Sequence, residues 1–427
     1  MRFWIRFRLW NWSILAKLAI GALLGFLMFN GHLFALCGSL NIWFLMNILS
    51  LPLALYTICL LHEGCHALVG HLVGFRIDTI TVGAGRRLLK ARIGETTLEL
   101  RLGSFRSAVR MAPRSPATCS VPRIVSMQVA GCVGTCLLAG AVYLSVPYGM
   151  LSLFGNYGCS WSIAGTLFAF SAVLTIGNLM PLRVGVRGGN YTDGYRIIEI
   201  LRRPEVGKAI KLAAPYVNKA AEAYRNHNYA SAQSICSEGL LVAPRSFHLK
   251  LFLGVTDIHL GAPSTARPKL ETALNEFASN GLERALAWNG IAYCDALIGD
   301  PRYLEEADEF SLRAITVLPM SDTIGTRGSV HVWSAYELAM TNQGQSKKAR
   351  WLLTQGIQLL HKAHNSAQTD TSRLAEAAWL SVAYALQGMH ELSSEYLEQA
   401  KSAGGMIEEV YAVSRIADIA ATGLRVM

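Results

Sequence analysis

The stretch LLHEGCHALVGHLVGF, Leu60 to Phe75, sets two histidines, His62 and His66, four residues apart with Glu63 beside the first. On a helix, four residues turn through about 400 degrees, so both imidazoles project from one face, one turn apart. Two imidazoles so placed can take two corners of a zinc tetrahedron. Glu63, about 100 degrees round the helix, can reach a water in an open position. Glu63 is also the only formally charged side chain between Lys17 and Arg76. A carboxylate in such apolar surroundings must be protonated, paired or set beside a cation, and a divalent ion answers that need. His71 falls about 140 degrees off the ligand face and reads as structural.

A further ligand has to come from elsewhere. The other unusual polar stretch is GNLMPLRVGVRGGNYTDG, Gly177 to Gly194. Asn178 still lies in an uncharged run, Pro181 breaks the helix, and Gly185, Gly188 and Gly189 let the chain turn back. Asp193 could then close a site of two histidines, one aspartate and one water, or could cap the helix that follows it.

The elements that would hold these groups are apolar. The 427 residues are 52% hydrophobic and 16% charged, with a mean hydropathy of +0.30, which points to a membrane protein. Residues 18–62 and 124–182 carry no charged side chain, and each run has room for two spans of about 20 residues. Four membrane helices are expected, near Trp12–Phe29, Asn47–Val73, Ile124–Leu144 and Trp161–Leu182. Basic residues cluster in the N-terminal segment, in 75–123 and after the fourth span, which predicts cytoplasmic N- and C-termini and external turns near 30–41 and 149–160. Residues 1–205 hold 19 basic and 7 acidic side chains, and 206–427 hold 20 and 22. The positive excess therefore lies beside the bilayer and suits its anionic leaflet rather than a nucleic acid. Nine scattered cysteines without a CxxC pair argue against a disulfide framework or a cysteine-rich zinc module. The first apolar stretch reads as an uncleaved anchor.

Between the second and third spans, RLLKARIGETTLELRLGSFRS alternates on both sides of Gly94-Glu95 and predicts a hairpin with Leu98, Leu100 and Leu102 on one face. With the HEGCH of His62 to His66, the NLMP of Asn178 to Pro181 and Asp193-Gly194, residues 45–200 resemble the site-2 protease family of intramembrane zinc metalloproteases. The resemblance implies that His62, His66 and Asp193 hold Zn2+, that Glu63 is the general base, and that Asn178 helps position the substrate. It also implies that the hairpin lies at the membrane beside the site, where it can pair with an extended substrate. One departure stands out: the family leaves four residues between Pro and Asp-Gly, whereas eleven, Leu182 to Thr192, intervene here.

After about Arg203 the sequence turns alanine-rich and helical. Ala232, Gly239 and Pro244 recur as Ala307, Ala314 and Pro319 at the same offsets. The pairs Ala266/Ala273, Ala349/Gly356 and Ser393/Ala400 repeat the spacing of seven. This resembles the tetratricopeptide repeat, in which small residues let paired helices pack closely. The expected fold is thus an all-α membrane protein with about four transmembrane helices and a small cytoplasmic β-hairpin segment, followed by a soluble, tetratricopeptide-like α-solenoid. Residues 1–205 form the membrane-embedded metalloprotease domain and 206–427 the repeat domain. The expected function is cleavage of membrane-spanning protein substrates in a cell membrane, of bacterial inner-membrane type. The repeats would bind a cytosolic protein or peptide that recruits or gates substrate. A rival class is a membrane-anchored scaffold whose metal site is vestigial.

Overall fold

The computed structural model describes residues 42–102, 107–145, 163–184, 190–278, 281–343, 347–367, 369–401 and 407–426. The chain divides into two compact units, one of residues up to 183 together with 191–202, the other of 184–190 together with 203–427.

The first unit is built on three apolar helices: α1 (Ile42–Leu72), α2 (Val121–Ser145) and α3 (Ile163–Leu179). All three pack against one another. Inside this apolar bundle the Thr135 and Thr175 hydroxyls share a hydrogen bond of 2.7 Å between α2 and α3, a form of interhelical linkage suited to surroundings without water. Among the described residues, Leu53–Leu72 and Val121–Ser145 are long and apolar enough to cross a membrane, and Phe170–Leu179 is a shorter apolar segment. That is two such helices against the four expected. The expected span at Trp12–Phe29 and the turn at 149–160 lie outside the described residues.

Between α1 and α2 the expected hairpin proves to be one edge of a small sheet. Four strands, β1 (Phe75–Val82), β2 (Arg86–Ile93), β3 (Thr96–Leu102) and β4 (Ala108–Pro113), form one sheet in the order β2-β3-β1-β4. β2 and β3 make the expected hairpin, Ile93 opposite Thr96, with Gly94 at a φ of 60° in the turn. However, β3 also pairs in parallel with β1, and β1 pairs antiparallel with β4. Phe75 and Val82 of the central strand are buried. The Tyr56 hydroxyl of α1 donates to the Arg101 carbonyl, which ties the sheet to the helix bundle. Alternation along residues 86–102 reveals a hairpin, but pairings made across longer stretches of chain leave no local trace.

The second unit is a run of helix hairpins: α5/α6 (Pro204–Arg225, Tyr229–Val242), α7/α8 (Phe247–His259, Pro263–Thr272), α9/α10 (Gly281–Ile298, Leu304–Val317), α11/α12 (Ser321–Leu338, Lys347–Ser366) and α13/α14 (Asp370–Leu386, His390–Lys401), closed by α15 (Ile407–Thr422). A preceding helix, α4 (Asp193–Arg202), belongs to the first unit. Each hairpin packs on the next. All ten small residues of the sequence repeat are buried on the second helix of a hairpin or at its end. The longer periods arise because Ala273–Phe277 and Ala339–Gln343 continue α8 and α11 as wider π-type turns, and because α12 runs for 20 residues. Trp333, Trp379, Leu270 and Leu360 fill the core between hairpins.

Candidate metal centre

α1 carries His62 and His66 into the bundle, 4% and 6% exposed, with their rings edge to face. The close approach of α2 is possible only because position 131 is glycine: a Cβ there would lie 2.3 Å from Nε2 of His66. α3 ends at Leu179 and the chain breaks at Pro181, as the sequence predicts. The described ends of the interval between Leu182 and Thr192 then meet. Two short strands, Arg183–Val184 and Asn190–Tyr191, pair, and the Thr192 amide returns to the Leu182 carbonyl at 3.2 Å. The Thr192 hydroxyl donates to the Met180 carbonyl and accepts from the Leu182 and Tyr195 amides. Thr192, not Asp193, therefore serves the start of α4, and the aspartate is left free for the site. Gly194 completes the junction, since a Cβ would meet the Leu179 carbonyl at 2.0 Å.

Asp193 Oδ2 consequently lies 3.2 Å from His62 Nε2 and 3.3 Å from His66 Nε2, and the two nitrogens are 3.2 Å apart. These three atoms form a nearly equilateral triangle. Nδ1–H of His66 donates to the Met127 carbonyl at 2.7 Å, which leaves the lone pair of the neutral ring on Nε2, facing the triangle. Such a set of converging acceptors in a buried place calls for a positive charge. Zinc bonds of 2.0–2.1 Å at tetrahedral angles would set their donor atoms about 3.3 Å apart, so the donor set fits a zinc-sized ion in both spacing and chemistry. Among the described residues this is the one group of three or more such side chains arranged to hold a metal.

Around the triangle, Asn178 Nδ2 stands 3.3 Å from His62 Nε2. Gln128 Nε2 donates to Asp193 Oδ1 at 2.7 Å. Glu63 is 6% exposed and accepts from the Ser107 hydroxyl at 2.7 Å through Oε1, which leaves Oε2 for other work. His71 lies outside, 3.5 Å from the Arg114 guanidinium. All five residues singled out by sequence, His62, Glu63, His66, Asn178 and Asp193, thus meet in one place. Sequence reasoning passed over Ser107, Gln128 and the Met127 carbonyl. Gln128 did leave a signal, as the single amide side chain between Ile124 and Leu144.

Among the described residues, no histidine of the second unit belongs to a group that could hold a metal. His259 stacks on Tyr229 and bonds to the Tyr224 hydroxyl. His331 is buried, and burial together with the nearby Arg327 charge pushes it down to about 4. His248 borders a cleft of about 490 Å³ with Glu205, Glu276 and Glu283.

No protein-family model and no curated protein matches the chain. Among solved structures, that of the MamA protein aligns with 51% of this chain and 98% of its own, at 16% identity and a TM-score of 0.28. A likeness of that size carries no argument about fold or function.

Proposed function

We propose that the chain is an intramembrane zinc metalloendopeptidase of site-2 protease type, acting on membrane-spanning protein substrates. The observation that carries this reading is the triangle of His62, His66 and Asp193 beside Glu63, set among apolar helices. Bound there, zinc would bring the pKa of a water to about 7 and polarise a peptide carbonyl. Glu63, with Ser107 holding one of its oxygens, would have the other to accept a proton from water and to give it to the leaving amine. Asn178 hydrogen-bonds at the edge of the centre and is placed to orient the substrate. The buried surroundings keep bulk water from the carboxylate, so its proton transfers stay local.

The same reading gives the chain four membrane spans, with the first at Trp12–Phe29 and both termini in the cytoplasm of a bacterial-type inner membrane. The hairpin array is read as a tetratricopeptide-like domain that holds a cytosolic protein or peptide and so recruits or gates substrate. Zinc analysis of the protein purified in lipid or detergent tests the centre. The expected result is one zinc per chain, lost in His62→Ala, in His66→Ala and, at least in part, in Asp193→Ala, because two remaining protein ligands rarely hold a catalytic zinc tightly. Wild-type protein that binds no zinc and cleaves no membrane-spanning substrate would leave only the scaffold reading.

A further inference from the structure

We infer that Gln128 is a positioning residue for the metal centre: it holds Asp193 so that a single oxygen faces the histidines. The inference rests on the zinc reading above. Gln128 is 5% exposed, so an unpaired amide there would be costly. Its Nε2 donates to Asp193 Oδ1 at 2.7 Å, and this direction follows because a carboxylate only accepts. With Oδ1 so engaged, Oδ2 is the oxygen 3.2 and 3.3 Å from the two imidazole nitrogens. Asp193 needs such a hold. It is the first residue of a helix, its side chain is 13% exposed, and its carboxylate can otherwise rotate away or present both oxygens.

The adjacent residue does the same for another donor. The Met127 carbonyl accepts from His66 Nδ1, so consecutive residues of α2 fix two of the three donors, one through the main chain and one through a side chain. Outer contacts of this kind typically change metal affinity by about 10- to 100-fold when removed.

Zinc affinity, measured by chelator competition on the full-length protein in lipid, distinguishes the hydrogen bond from mere packing. Gln128→Met keeps the volume and removes the donor, whereas Gln128→Ala removes both. The expected result is that both variants bind zinc about 10- to 100-fold more weakly than wild type, with an altered visible spectrum of the Co2+-loaded Gln128→Met protein and unchanged helical content. If Gln128→Met binds zinc as tightly as wild type with an unchanged Co2+ spectrum, Gln128 does not position Asp193, although the centre itself stands. If wild type binds no zinc, the reading of the centre fails and this assignment fails with it.

Discussion

His66 Nδ1 and the Met127 carbonyl lie 2.7 Å apart, and because a carbonyl can only accept, this contact selects the ring tautomer of His66. The neutral imidazole then keeps its lone pair on Nε2, among three donor atoms and away from the helix that fixes it. A main-chain carbonyl cannot be removed by substituting its own side chain, so substitutions reach this contact only through the groups around it.

Glu63→Gln preserves size and polarity and removes the base. Zinc content is expected to match wild type, while cleavage of a membrane-spanning substrate falls by at least about 10²-fold. The two measurements are made on the same preparation, because loss of metal together with activity would give Glu63 a structural role instead.

Gly131→Ala places a methyl group against the His66 ring. Forcing α1 and α2 apart costs about 1–3 kcal/mol of packing, and displacement of His66 should weaken zinc binding about 10- to 100-fold. Gly140→Ala, on the same helix with open space around it, should leave both unchanged. Equal behaviour of the two variants in chelator competition would remove the close helix approach from the description of the site.

Reporter enzymes test the span count. Fusions after residue 205 and within 80–115 should report cytoplasm, and one at Tyr157 should report the outside. An external signal from the C-terminal fusion would overturn the four-span topology.

Glu376 gives the hairpin array a pH dependence. It is 4% exposed, its Oε2 has no hydrogen-bond partner among the described residues, and burial, with Asp322 nearby, pushes its pKa up to about 8 from 4.5. The folded protein therefore keeps a proton that the unfolded chain has lost between these values. Stability on this account falls as pH rises from about 5 to 8 and levels off above. Glu376→Gln should flatten that fall, as read from urea midpoints of residues 204–427 at pH 5.5 and 9. Identical slopes in the two proteins would show that this carboxyl does not drive it.

Much of the centre was legible in the sequence because its residues are polar where polarity is costly. Glu63 among 57 uncharged neighbours between Lys17 and Arg76, and Asn178 before Pro181, stand out for that reason. The repeat was legible for the opposite reason: Ala307, Ala314 and their equivalents are small because another helix leaves no room. Ser107 was not legible, since a serine near the start of a strand has no distinguishing chemistry until Glu63 is brought against it from 44 positions away. The parallel pairing of β1 with β3 was hidden likewise, because register between distant strands is written in the packing of Phe75 and Val82 and not in any local period.

The contact between Thr192 and Leu182 separates two properties that a linear pattern treats as one. Because the amide of Thr192 meets the carbonyl of Leu182, the ends of the insertion are pinned together, and the position of Asp193 does not depend on how much chain lies between them. Lengthening such a closed excursion from four residues to eleven adds less than about 1 kcal/mol of loop-closure entropy. The interval can therefore change length at small cost, provided that Thr192 and Gly194 keep the two rims in place. Chains that differ in the length of this interval can thus hold the same arrangement of donor atoms.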